Sequence, residues 1–404
     1  MKDAENAVKR PRRIRTSVRV GFVVVLILLF AVTVEGGARL TFAFKDWFKA
    51  ALASIDETVL NLNEYQMRDP RHPSNWILRP GFSETPEQVI AAKKKSGRIL
   101  AENSWKELVT RVDVRQDETG IRIDRNGFRG PEIDRAHSHP RVLTLGDSCT
   151  FGSFLERYTY PRVLESELRQ GGREVEVVNG GVEGYAPQNI LFRIDDFKAL
   201  RPEITTLYIG WNALYNENEF LDGIDRYLAS ARLFKTASAV VHALAVTPQK
   251  AALESYNKPK LPRKDAADVR SAGNYSPSFI DDVDRIVREM ESVGSRVVIV
   301  TLPGLFTMDE APSDLALKVG HLPPYTDNPY LLAKITERYN IALRELAKRH
   351  GLQVIDLEEW SRVALQPRDR YFFDSVHLYE EGQQRIGQYM AAQLLPTLPN
   401  GVSR

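Results

Sequence analysis

From residue 136 onward, short apolar runs rich in β-branched residues alternate with longer stretches whose apolar residues recur at helical spacing. No other feature constrains the fold of this chain as much. The runs at 141–145, 175–179, 205–209, 296–300 and 353–356 predict strands, and 161–169, 279–292 and 331–350 predict helices between them. Such alternation builds an α/β domain, over 136–398, on a mainly parallel sheet, because parallel neighbours need a crossover and a helix is the usual one. One interruption, 213–273, breaks the rhythm between the third and fourth strands. It carries an apolar amphipathic stretch at 227–246 and a Lys/Pro-rich one at 258–264, and reads equally as a lid or as a plain surface excursion.

The amino-terminal end has a different character. Positions 20–34 are free of charge and mostly apolar, and Gly36, Gly37, Ala38 and Leu40 extend the run towards bilayer length around Glu35 and Arg39. Before it, Lys2, Lys9, Arg10, Arg12, Arg13, Arg15 and Arg19 face only Asp3 and Glu5. A basic flank and an apolar core also make a cleavable signal, but no clean A-x-A site follows. An uncleaved transmembrane signal anchor at 20–40 is the favoured expectation, with a cytoplasmic basic tail at 1–19 and everything downstream outside the cytoplasm, periplasmic or extracellular. Residues 43–135 are mixed and predict a small juxtamembrane module packed on the main domain. Within it Thr119 to Asp124 alternates like an edge strand, and a turn follows from Arg125 through Asn126-Gly-Phe-Arg-Gly130.

Composition removes several classes of function. The formal charge of +2 comes from the basic tail, so bulk charge gives no sign of a nucleic-acid partner. The single cysteine, Cys149, excludes an internal disulfide framework and a multi-cysteine zinc site. Of the histidines other than His377, namely His72, His137, His139, His242, His321 and His350, none shows a partner pattern in sequence.

Ligands of an open parallel sheet bind outside the carboxyl ends of its strands, so the residues just after each strand carry the most information. The first strand runs into Gly146-Asp-Ser-Cys-Thr-Phe-Gly152, the second into Asn179-Gly-Gly-Val-Glu-Gly-Tyr185 and the third into Gly210-Trp-Asn212. After the fifth comes Phe373-Asp-Ser-Val-His-Leu378. A serine hydroxyl becomes a nucleophile near neutral pH only if a base takes its proton; imidazole suits that task, and a carboxylate must hold the imidazole in one tautomer. Ser148, His377 and Asp374 supply these parts, and the Asp-x-x-His spacing brings the last two together on one turn. Acyl transfer also needs donors for a developing oxyanion; the Ser148 N–H, the Gly184 N–H and the Asn212 amide are the candidates. Asp147 reads as fixing the turn, and Cys149 as a packing residue turned away in an extended segment. Gly180-Gly-x-x-Gly184 has the wrong spacing and place for a dinucleotide turn.

These four blocks, in this order, resemble the SGNH (GDSL-like) hydrolase family over about 140–395. The residues that carry the resemblance are Gly146-Asp147-Ser148, Gly184, Asn212 and Asp374/His377, the last pair followed by Glu381-Gly382. The resemblance implies a flavodoxin-like three-layer α/β/α sandwich on a five-stranded parallel sheet. It also implies serine esterase or acyl-transfer chemistry with Ser148, Gly184, Asn212, Asp374 and His377 in the roles above, and neither metal nor organic cofactor. Ala213 follows Asn212 where the family commonly has an aspartate, and Cys149 stands where a leucine is usual. Membrane-anchored bacterial members look similar before residue 136 as well, including the Asn126-Gly-Phe-Arg-Gly130 turn, and some modify envelope or secreted polysaccharides. The expected activity is therefore removal of O-acetyl groups from a carbohydrate. An O-acetyltransferase and a catalytically idle glycan-binding scaffold are the alternatives, Ala213 being the one feature that favours the scaffold. A lipid ester or thioester substrate stays open, and the sequence is silent on oligomeric state.

Overall fold

Five parallel strands form the central sheet of the computed structural model, which describes residues 24–30, 32–37, 39, 62–72, 75–95, 118–217 and 258–398. They are β5 (Arg141–Gly146), β6 (Glu176–Gly181), β7 (Ile204–Tyr208), β8 (Arg296–Val300) and β9 (Gln353–Ile355), in the spatial order β6-β5-β7-β8-β9. Each lies within two residues of its predicted position. β5 and β7 are buried at every residue, as expected of parallel strands covered on both faces, while β9 at the edge is half-buried. The chain steps from β5 outward to β6, then returns across β5 to β7 and continues the other way. That reversal leaves a crevice at the carboxyl ends of β5, β6 and β7, where this class of sheet binds its ligands.

Helices Tyr160–Gln170 and Glu380–Leu394 pack on each other and form one group. A second group contains Ile280–Glu291 and Pro329–His350, with the short helices Pro187–Phe192 and Ile194–Ala199 against the first of these. Ile280–Glu291 buries Val283, Ile286, Val287 and Met290, one stripe at the 3.6-residue period. Pro329–His350 starts two residues before the predicted Leu331 for chemical reasons: Asn328 caps it by accepting from the Tyr330 N–H at 3.2 Å, and Pro329 occupies the first turn.

Residues 62–72, 75–95 and 118–135 belong to the same compact unit as the sheet. β1 (Gln66–Arg68) pairs antiparallel with β2 (Trp76–Leu78), and β3 (Ser83–Glu84) with β4 (Ile121–Arg122). The predicted edge strand is thus β4, paired locally instead of with the main sheet. The covering of the sheet's edge falls to the next turn, where Arg129 bridges to Asn179 of β6. Tyr65, Leu78, Val89, Ile121, Ile123 and Phe128 sit in the main hydrophobic core.

The other unit, 1–51 with 222–245, is described only in part. Positions 24–30 and 32–37 are helical, and their large apolar side chains from Val24 to Val32 are 49–72% exposed. Among the described residues no helix is long and apolar enough to cross a membrane. The rest of the predicted span, the basic tail and most of the 213–273 insertion, including 227–246, lie outside the described residues.

Candidate active site

At the end of β5 the backbone turns at once into a one-turn helix, Ser148–Phe151. A Cβ on Gly146 would stand 2.0 Å from Thr150 Oγ1 and 2.4 Å from the Tyr208 carbonyl, so only glycine lets strand and helix meet this closely. Asp147 caps the helix: its Oδ1 accepts from the Cys149 N–H at 2.9 Å. Its carboxyl is buried, and that burial, outweighing the Cys149 hydrogen bond and the nearby His377, pushes its pKa up to about 6.

Ser148 Oγ lies 2.7 Å from His377 Nε2, and His377 Nδ1 lies 2.7 Å from Asp374 Oδ2. A carboxylate only accepts, so Nδ1 carries the proton and Nε2 is left to accept from the serine hydroxyl. Asp374 is 1% exposed, and its other oxygen accepts from the Val376 and His377 N–H groups at 2.8 and 2.7 Å. Burial alone would raise its pKa; the charges of His377 and His321 and these hydrogen bonds outweigh it and hold the carboxyl at about 2. Burial pulls the His377 imidazole down, yet the charge and hydrogen bond of Asp374, helped by Asp147 and Glu183, bring it net above its ordinary value. The ring also stacks on Phe373, with centroids 5.5 Å apart. The three side chains thus form one hydrogen-bonded chain that holds the imidazole in one tautomer and one orientation.

Of the predicted oxyanion donors, the backbone N–H groups of Ser148 and Gly184 bond to no acceptor among the described residues. Gly184 takes φ +85, and a Cβ there would come within 3.0 Å of the Trp76 ring. The Asn212 amide differs from expectation: one N–H is committed to the Tyr185 carbonyl at 2.9 Å, so a single N–H remains for any ligand. It ties the third block to the second.

Several site residues escaped the sequence reading. Cys149 is buried as expected but helical, not in an extended turn, with its Sγ 3.4 Å from the Val376 carbonyl; burial raises the thiol well above its usual range. Gln383 locks the two halves of the relay, accepting from the Tyr160 N–H at 3.0 Å and donating to the Cys149 carbonyl at 3.4 Å. His321, without a partner pattern in sequence, lies with Nδ1 3.9 Å from Asp374 Oδ2, and burial lowers its pKa. Only contacts across a fold bring it there, since it lies 53 positions before Asp374 in the sequence. Arg129, read only as part of a turn, buries its guanidinium at the carboxyl end of the nucleophile helix. It donates to the carbonyls of Phe151 (2.6 Å), Gly152 (3.2 Å) and Ser153 (2.5 Å) and lies over the Phe151 ring. An arginine between Phe128 and Gly130 in that turn was the available signal. Among the described residues no cluster of His, Cys, Asp and Glu could hold a metal ion.

A model of the GDSL-like Lipase/Acylhydrolase family matches residues 144–385. Among solved structures, a lipase/acylhydrolase from Enterococcus faecalis is 15% identical with a TM-score of 0.39, covering 65% of this chain and 100% of its own. An acetylxylan esterase from Geobacillus stearothermophilus is 13% identical with a TM-score of 0.39, covering 66% and 97%. No curated protein matches the chain.

Proposed function

Because this chain belongs to the GDSL-like lipase/acylhydrolase family and is an SGNH-type esterase, we propose that it removes O-acetyl groups from a carbohydrate through an acyl-serine intermediate on Ser148. The relay Ser148–His377–Asp374, closed by two contacts of 2.7 Å, carries this reading. Ser148 Oγ attacks the ester carbonyl while His377 Nε2 takes its proton. The negative oxygen is held by the Ser148 and Gly184 N–H groups and the remaining N–H of Asn212. His377 then returns the proton to the departing sugar oxygen. A water attacks the acyl-serine with His377 again as base, and acetate leaves. Asp374 keeps its charge throughout and stabilises the imidazolium.

Support for a carbohydrate comes from the resemblance of the residues before 136, including the Asn126-Gly-Phe-Arg-Gly130 turn, to members of the family that modify polysaccharides. The basic tail before 20–40, with its exposed apolar helical stretches at 24–30 and 32–37, supports an anchor that holds the catalytic unit outside the cytoplasm.

The test is acetate release by the full chain, in mild detergent, from a panel of acetylated sugars and from an aryl ester series of rising acyl length. Ser148→Ala and His377→Ala serve as controls. Release confined to short acyl groups and acetylated sugars, and lost in both variants, is expected. A preference for long acyl chains would overturn the carbohydrate assignment. Acetyl transfer to an added sugar at the expense of free acetate would replace hydrolysis with transfer.

A further inference from the structure

The Glu183–Gly184 peptide is gripped from one side by a segment that precedes the family-matched residues. Two side-chain donors converge on the Glu183 carbonyl: Trp76 Nε1 at 3.0 Å and Gln66 Nε2 at 3.1 Å. Gln66 is buried and turned the right way round, because its Oε1 accepts from both the backbone and the side-chain N–H of Asn63 at 3.0 Å. The Glu183 carboxylate is held by the same segment, from Asn63 Nδ2 and from Tyr65 Oη, both at 2.6 Å. Tyr185 donates its hydroxyl back to the Trp76 carbonyl at 2.5 Å. Five hydrogen bonds thus join residues 63–76 to residues 183–185, and three come from side chains of β1 and β2 or the residue before them.

The carbonyl of Glu183 and the N–H of Gly184 belong to one planar trans peptide, so they point in opposite directions. Fixing the carbonyl fixes the direction of the N–H. Two donors on the oxygen also polarise the unit, making the N–H on the far side a stronger donor. From this geometry we infer that Trp76 and Gln66 are positioning residues of the active site: they hold the oxyanion peptide by its carbonyl, and the 63–76 segment is a working part of the catalytic centre. This rests on the reading of Gly184 as an oxyanion donor. The hold acts on the transition state, where the charge on oxygen exists, far more than on the bound ester.

The experiment uses the full chain and two variants that each remove one donor with little change of shape, Trp76→Phe and Gln66→Met. Three quantities are read: kcat and KM for an aryl acetate, the affinity for phenylboronic acid, and hydrogen exchange of the peptide containing Gly184. Phenylboronic acid captures the serine as a tetrahedral anion. Each variant is expected to lose about tenfold in kcat and in boronate affinity, with KM within about twofold, as one lost hydrogen bond to a polarised group implies. Exchange at Gly184 should quicken while the melting temperature stays within a few degrees. If kcat and boronate affinity both stay within twofold of wild type, or if KM absorbs the whole effect, the inference fails while the esterase reading stands. A wild-type chain that neither hydrolyses the ester nor binds the boronate sinks the esterase reading and takes this inference with it.

Discussion

The rim of the sheet and the segment that buttresses it solve different problems with similar chemistry. On the rim, Ser148, His377 and Asp374 present side chains to each other and to the crevice. In the buttress, Trp76, Gln66 and Arg129 act on backbone carbonyls of rim residues: Glu183 for the first two, and Phe151, Gly152 and Ser153 for Arg129. In the proposed mechanism rim side chains supply the reacting protons and the nucleophile, and buttress side chains hold the rim backbone in place. Substitution on the rim should therefore abolish chemistry in a folded protein, whereas substitution in the buttress should weaken the fold or the transition state by smaller amounts.

The largest effect belongs to the nucleophile and base. Ser148→Ala and His377→Ala should each reduce kcat for an aryl acetate by about 10⁴-fold or more, and the double variant by hardly more than either, since the two act as one unit. Additive losses in that cycle would break the relay. Next comes Asp374→Asn, expected to lower kcat by about 10³- to 10⁴-fold with KM little changed, because an amide can donate to Nδ1 and so favour the wrong tautomer.

Arg129→Met should instead register as stability. It strands buried carbonyls at the end of the nucleophile helix, and a denaturant titration should show a loss of about 3 kcal/mol. A folded Arg129→Met protein of unchanged midpoint would erase the distinction between buttress and rim.

The smallest effect is a shift of pH dependence. Activity requires neutral His377, whose pKa stands above its ordinary value, so the rate rises with pH through the acid limb of the profile. Glu183 is one of the charges that favour the imidazolium. Glu183→Gln should therefore move that limb to lower pH by a few tenths of a unit, on the order expected for a screened neighbouring charge. A limb that moves upward, or not at all, would remove Glu183 from the site's electrostatics.

The same division explains what could be read before any coordinates. The strands were legible because parallel, doubly covered strands are short apolar runs, and the pairing of Asp374 with His377 because they are three residues apart, although the structure sets them two helices past β9, in the loop between Arg368–Tyr371 and Glu380–Leu394. His321 was illegible for the opposite reason: its approach to Asp374 depends on how the loop before Pro329–His350 folds back. Trp76 and Gln66 left no pattern either, because they recognise a carbonyl, which every residue has. Asn212 was read from its place after the third strand as an oxyanion donor, and its bond to the Tyr185 carbonyl is a tertiary fact that no spacing encodes.

Gln383 has a consequence for how the enzyme comes into being. It sits on Glu380–Leu394, directly after the loop bearing His377, and stitches that helix to the Cys149 carbonyl and the Tyr160 amide. The serine turn, with β5, β6 and β7, leaves the ribosome long before the base that activates it. Until that later segment is in place, Ser148 thus lacks the imidazole that the proposed mechanism gives it as a base.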